Sequence, residues 1–259
     1  MDFIAVFLKQ VGIQIIVIFG LFFVLGYIIS KLQEYTSENY QRAFGWRGIK
    51  WTAWLGTPVH EFGHIFFAKI FRHRLDRVSL YAPNQITGQL GEVQHSYNRR
   101  SVYQRLGNFF IGAGPMIFGV IVLALLFYFL HPQGRLILSD AGRTSVLDLE
   151  KIFKAIFNPA VFHYYRFWVF IYLSFAVASH LAPSKQDRKN MWGGFVWLIF
   201  LLLILNGLAF LFRFDLTAFI LAESSWFSAL VSLFVYAIFL SFVHFFLSFF
   251  ASRIYRVFR

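Results

Sequence analysis

Residues 57–71 read TPVHEFGHIFFAKIF, and this stretch decides the fold: it is an apolar, helix-forming run that nevertheless carries His60, Glu61 and His64. On a helix, His60 and His64 stand one turn apart on the same face, so both rings can approach a single cation from one side. Glu61 projects beside them without being needed as a ligand. In a soluble chain such a five-residue pattern would be an ordinary polar helix face. Inside a membrane span ionisable groups are costly and mark function, which favours a metal.

The rest of the chain supplies that membrane context. Of its 259 residues 58% are hydrophobic and 21% aromatic, with 36 Phe, and only 14% are charged. Soluble domains carry roughly 25% charged residues. Apolar stretches close to the ~20 residues that cross a hydrocarbon core recur at about 10–30, 52–71, 106–130, 161–182, 191–212 and 226–250. The expected fold is an all-α integral membrane protein of about six transmembrane helices. It forms a single polytopic domain, 1–259, with its core over about 50–195 and peripheral helices at 10–30, 191–212 and 226–250. The first stretch has neither a basic leader nor a small-residue cleavage site and is expected to stay as a helix.

One connector differs from the others. VSLYAPNQITGQLGEVQHSY, residues 78–97, sets β-branched and aromatic residues between Pro83-Asn84, Gly88 and Gly91, which predicts a small β-hairpin over about 77–97. The net charge of +12 lies in short loops, without the aromatic-interleaved basic surface of a nucleic-acid binder, so the lipid bilayer rather than nucleic acid is the expected partner. Arg72, Arg99, Arg100, Lys185, Arg188 and Arg253 tip the basic balance toward one side. The positive-inside rule then puts both termini and the hairpin at the cytoplasmic face of a bacterial-type cytoplasmic membrane.

The chain has no cysteine, so a metal must be held by His, Asp or Glu. Two histidines leave a third ligand to be found near a span interior or end, where His163, His180, Asp187 and His244 qualify. Asp187, in the polar turn after Pro183, is the expected ligand, against the alternative of a loop acid paired with Lys185 or Arg188. His180 is expected to support the site or touch substrate, while His163 and His244 read as interfacial or core histidines.

Three features together resemble the site-2 protease family of intramembrane zinc metalloproteases. They are His60-Glu61-Phe62-Gly63-His64, then Gly112-Ala113-Gly114-Pro115, then His180-Leu181-Ala182-Pro183 followed by Asp187. The chain departs from the family where Met116 follows Pro115 without an asparagine, where His180 replaces an asparagine, and where Arg188 replaces the glycine after the aspartate. The resemblance implies a minimal member, without added peptide-binding or nucleotide-sensing domains, that cuts a membrane-spanning protein or remnant signal peptide. It also implies Zn2+ held by His60, His64 and Asp187, with Glu61 as the general base. His180, Gly112, Gly114, Pro115 and Asn206 are further candidates for touching substrate or supporting the ligands: the two glycines for close packing of the third span on the zinc helix, Asn206 or His180 as an oxyanion donor. A metal transporter using the same ligands as a transit site would show further polar residues along a path through the bilayer. A catalytically silent homologue that only binds membrane partners is the other alternative, and the intact Glu61 argues against it.

Overall fold

The computed structural model describes residues 3–138, 149–221 and 225–257. Part of the 131–160 connector therefore lies outside the described residues. Helix α1, Phe3–Gln14, runs through a π-helical turn at Ile15–Gly20 into α2, Leu21–Ile70. Then come strands β1, Arg74–Ser79, and β2, Glu92–Ser96, followed by α3, Val102–Leu130. The remaining helices are α4, Leu149–Ile156; α5, Tyr165–Ala178; α6, Lys185–Leu211; α7, Leu216–Leu221; and α8, Ser225–Val257. Among the described residues, four helical runs are long and apolar enough to cross a membrane: Ile4–Ile70, Val102–Leu130, Lys185–Leu211 and Phe227–Tyr255.

The longest of these runs is not straight. Gln33 Oε1 accepts a hydrogen bond from the Ala182 backbone N–H, while the His60 ring bonds the carbonyl of His180. Residues 33 and 60 would lie about 40 Å apart on one continuous helix, yet they meet chain positions two residues apart. The run therefore doubles back, and it does so at Gly45, whose φ of 61° and ψ of −153° interrupt the helix. A side chain would resist that backbone conformation and glycine does not. Two of the expected spans, 10–30 and 52–71, thus become the two arms of one helical hairpin. The polar segment between them is helical up to the break instead of a loose connector.

The expected span at 161–182 is shorter than drawn. Pro159–His163 is a 3-10 turn, and the helix proper is Tyr165–Ala178. Proline fixes the first residue of that turn, and Asn158 caps it by accepting from the Ala160 N–H. At the other end α8 runs on to Val257, beyond the expected 250.

The core is built where these helices converge. Ile29, Met116, Leu123, Phe170, Leu181 and Leu240 are buried in one apolar cluster joining α2, α3, α5, the turn before α6, and α8. Outward faces are apolar as well. Val196, Phe200, Ile204 and Leu208, each one turn after the last on α6, are all exposed. In water that face would be an unsatisfied hydrophobic stripe, whereas lipid tails accommodate it. The chain is a membrane protein on these grounds.

The hairpin forms near its expected place. β1 and β2 pair antiparallel with Leu75 opposite His95 and Val78 opposite Val93, and a bulge falls at Asp76. Beyond the strands the pairing continues irregularly: Ala82 N–H bonds Leu90 O and Asn84 N–H bonds Gln89 O. The Asn84 side chain accepts from the Ile86 and Thr87 N–H groups, and Gly88 closes the turn at φ 72°.

Candidate metal centre

His60, Glu61 and His64 lie on the second arm of α2, as the sequence predicts. His60 Nε2 and His64 Nε2 stand 3.3 Å apart. Asp187 closes the triangle from the start of α6, its Oδ1 3.3 Å from His64 Nε2 and its Oδ2 3.6 Å from His60 Nε2. The three residues offer ligand atoms that all lie within 4.8 Å of one another.

Each ring is oriented from behind. His64 Nδ1 lies 2.8 Å from the Ile111 carbonyl and His60 Nδ1 lies 2.7 Å from the His180 carbonyl. A carbonyl can only accept, so both Nδ1 atoms carry hydrogen, and each neutral ring presents a bare Nε2 lone pair. Two such lone pairs and a carboxylate therefore face one another. That donor set fits a cation. A tetrahedral ion held at about 2.0–2.1 Å needs its ligand atoms about 3.3 Å apart; the two Nε2 atoms stand at that spacing, and the nearer carboxylate oxygens lie 3.3 and 3.6 Å from them.

The two supporting carbonyls are free for a reason visible in the sequence. Pro115 lies inside α3 and has no N–H, so Ile111, four residues earlier, loses its helical donor. His64 takes that vacant acceptor. His180 comes just after the end of α5, where carbonyls have no partner within the helix. Pro115 is expected either to touch substrate or to stand behind the ligands. The structure makes it the residue that frees the brace behind His64.

Asp187 is positioned by a capping box. Ser184 Oγ accepts from the Asp187 N–H at 3.1 Å, and Asp187 Oδ2 accepts from the Ser184 N–H at 2.7 Å. One carboxylate thus starts α6 and faces the histidines. Arg188 turns away, donating from Nη1 to the Pro183 carbonyl at 2.8 Å, which ties down the turn.

The two candidate glycines of α3 are two positions apart and so face opposite sides of the helix. Gly114 meets Gly63 of α2 backbone to backbone. Gly112 meets the Asp187 carbonyl and Met191 of α6, where an added Cβ would lie 2.5 Å from that oxygen. Only Gly114 packs on the helix of the histidines; Gly112 brings in the helix of Asp187. Together they make α3 the thin wedge that lets the three donors meet.

Asn206 is not brought to the site. It lies 19 positions beyond Asp187 on the same helix, about 28 Å along its axis. There it exchanges two hydrogen bonds with the Gln14 side chain, at 2.7 and 3.0 Å. A buried amide in an apolar span needs a partner, and Gln14 satisfies it. The oxyanion role expected of Asn206 falls with that distance. His180 does line the site, but its ring is held near the Ala176 carbonyl and its backbone oxygen serves His60. His244 is buried against Tyr40 and stacked on Phe175, and so belongs to the packing between helices.

Above the metal centre lies a cavity of about 1150 Å³, lined by Thr57, Glu61, Gly91, His95 and Asn108 together with the three ligands. Glu61 is only 6% exposed. The end of the hairpin loop covers it: a Cβ on Gly91 would come within 2.9 Å of Glu61 Oε1. Thr57, one turn before Glu61, keeps a buried Oγ1 without a hydrogen-bond partner. Sequence reasoning passed over Thr57, His95 and Asn108. Thr57 could have been found, since it sits four residues before Glu61 on the same helix face.

No protein-family model, curated protein or solved structure gives a significant match to the chain.

Proposed function

We propose that this protein is a zinc metalloprotease of the site-2 protease type, hydrolysing a peptide bond in or near the transmembrane segment of a membrane protein or remnant signal peptide. The observation that carries the reading is the buried Glu61 carboxylate beside three converging lone-pair donors at the floor of a single polar cavity. A transit site would need polar groups free to pass an ion through the bilayer, whereas the buried amides at the second depth, Gln14 and Asn206, are spent on bonding each other. A purely structural ion would need no carboxylic acid held against its open side.

His60, His64 and Asp187 would hold the ion, and zinc suits two imidazoles and one carboxylate. When bound, it supplies Lewis acidity toward a water and a peptide carbonyl. Glu61 takes the proton from the attacking water as the new C–O bond forms. It returns that proton to the amine nitrogen as the C–N bond breaks, which leaves one acid and one amine. The covering loop at Gly91 limits bulk water around Glu61. A substrate helix must unwind to expose a carbonyl, and the edge of the 74–96 hairpin offers backbone partners for an extended segment.

In this reading the membrane is crossed six times, counting both arms of the Ile4–Ile70 run and the segment containing α5, with both termini cytoplasmic. Glu61→Gln keeps shape and removes the base. Zinc content should persist while cleavage of membrane peptides, followed by proteomics of cells carrying either form, should stop. Equal peptide patterns from the two forms would refute the reading.

A further inference from the structure

His95 lies on β2 and lines the same cavity as Glu61 and His64, although no role for it comes from the three metal donors. Its ring is held from outside. Leu75 is its cross-strand neighbour, and His73, two residues before Leu75, shares that face of the hairpin. His73 Nδ1 and His95 Nδ1 are 3.0 Å apart, and His73 Nε2 is 2.8 Å from the Gln104 carbonyl.

These contacts fix both tautomers. Gln104 O accepts, so His73 Nε2 carries hydrogen and its Nδ1 is a bare acceptor. His95 Nδ1 must then carry the hydrogen between the two rings. That leaves His95 Nε2 bare, and among the described residues it has no hydrogen-bond partner. The sequence of bonds ends on a backbone carbonyl, so it cannot pass a proton onward. It fixes a ring.

The clamp is itself well supported. His73 is buried at 6% exposure and stacks on Tyr97 with ring centroids 5.0 Å apart. The Gln104 side chain donates to the Arg72 carbonyl at 2.7 Å and accepts from the Asn98 N–H at 2.6 Å, which joins both ends of the hairpin to the start of α3. Burial also holds His95 down to about 4, with His73 adding to the effect, so at ordinary pH the ring is neutral. His95 is thus held in the same way as His60 and His64, by its Nδ1, with Nε2 left over on a cavity wall.

We propose that His95 is a substrate-positioning residue, whose clamped Nε2 accepts a hydrogen bond from a backbone N–H of the unwound substrate segment. This rests on the protease reading. An unwound segment exposes N–H groups that lack their helical carbonyls, and each one left unpaired where the segment itself displaces water from the cavity is penalised. A neutral imidazole with only its lone pair free is matched to that need, and a substrate carbonyl would be repelled from it.

The test uses the full-length zinc-loaded protein in nanodiscs. The probe is a poly(Leu-Ala) transmembrane peptide with a central Gly-Pro break. Cleavage is measured with Glu61 present, and binding of the same peptide is measured in the Glu61→Gln background. His95→Phe removes the acceptor and keeps the ring's bulk, and should raise KM and weaken peptide binding about five- to tenfold, with kcat and zinc content little changed. His95→Gln restores an acceptor and should recover most of the loss, which a merely structural role would not give. If the wild type cleaves and His95→Phe matches it in KM and binding, the positioning role falls and the protease stands. If the wild type binds the peptide in a His95-dependent way but never cleaves it, the protease reading falls and His95 is left as a contact that binds an unwound peptide, not one that positions a substrate. No binding by either form overturns both.

Discussion

Gly63 and Gly114 touch through their backbones: a Cβ on Gly63 would lie 2.7 Å from the Gly114 carbonyl, and one on Gly114 would lie 2.6 Å from the Gly63 carbonyl oxygen. That approach places Ile111 O within reach of His64 Nδ1, so the packing of two helices and the aim of a metal ligand are one feature. Gly63→Ala or Gly114→Ala should push the helices apart, lowering stability by about 1–3 kcal/mol, and should reduce bound metal in parallel. Gly207→Ala is the control, since nothing lies within 4 Å of a Cβ there. Thermal unfolding in detergent and metal per chain are the readouts. Wild-type metal content in both variants would show that the brace does not depend on the contact.

Pro115 supports a separate expectation. Pro115→Ala restores a helix N–H directed at the Ile111 carbonyl, which then competes with His64 Nδ1. The helix should hold or gain stability, while metal affinity should drop about 10- to 100-fold, as when a supporting partner of a ligand is lost. Chelator competition on the purified protein measures it. An unchanged affinity would mean that His64 keeps its orientation from elsewhere.

These two cases show what the sequence reveals and where it stops. The spacing of His60 and His64 is local, fixed by the helical period, and it placed both rings correctly. Asp187 was reachable because Pro183 forces a turn there and Ser184 can cap the helix that begins at Lys185. The helical hairpin at Gly45 was hidden, since one glycine in a polar segment looks like any connector residue until tertiary contacts show the chain reversing. Asn206 misled because a buried amide in a span does signal a partner, and only the fold reveals that the partner is Gln14 and not a substrate. The clamp on His95 depends on hairpin register, which a bulge at Asp76 shifts by one residue.

The hairpin should respond to acid. His95 titrates near 4 when folded, below the usual value of about 6.5, because it is buried and faces His73. His73 is lowered too, again by burial. Asp76 and Asp187 oppose the shift at His95, while His64 adds to it. Between those two values the unfolded hairpin binds more protons than the folded one, so folded stability is fully present above about 6.5 and is lost as pH falls toward 4. The protection factors of the 74–96 amides, exchange rates corrected for the intrinsic slowing of exchange in acid, should therefore fall across that window, and His95→Gln should flatten the dependence. Protection factors that stay flat from neutral pH to 4 in the wild type would contradict the shift.

Asp187 carries two duties that substitutions can separate. Its Oδ2 caps α6 through the Ser184 N–H, and its Oδ1 is the oxygen nearer His64 Nε2. Ser184→Ala removes half of the capping box and leaves the carboxylate in place, so stability should fall by about 0.5–2 kcal/mol with metal retained. Asp187→Asn keeps an oxygen for the Ser184 N–H but loses the negative charge facing two imidazole lone pairs, so metal should be lost while the start of α6 holds. Asp187→Ala removes both functions and should lower metal and stability together. Metal analysis beside thermal unfolding for the three variants distinguishes the duties, because a ligand moves the first quantity and a cap moves the second. Should Asp187→Ala retain metal at the wild-type level, Asp187 is only a cap, and the third donor must be sought elsewhere, first at Glu61, the carboxylate that shares the helix and the cavity wall with His60 and His64.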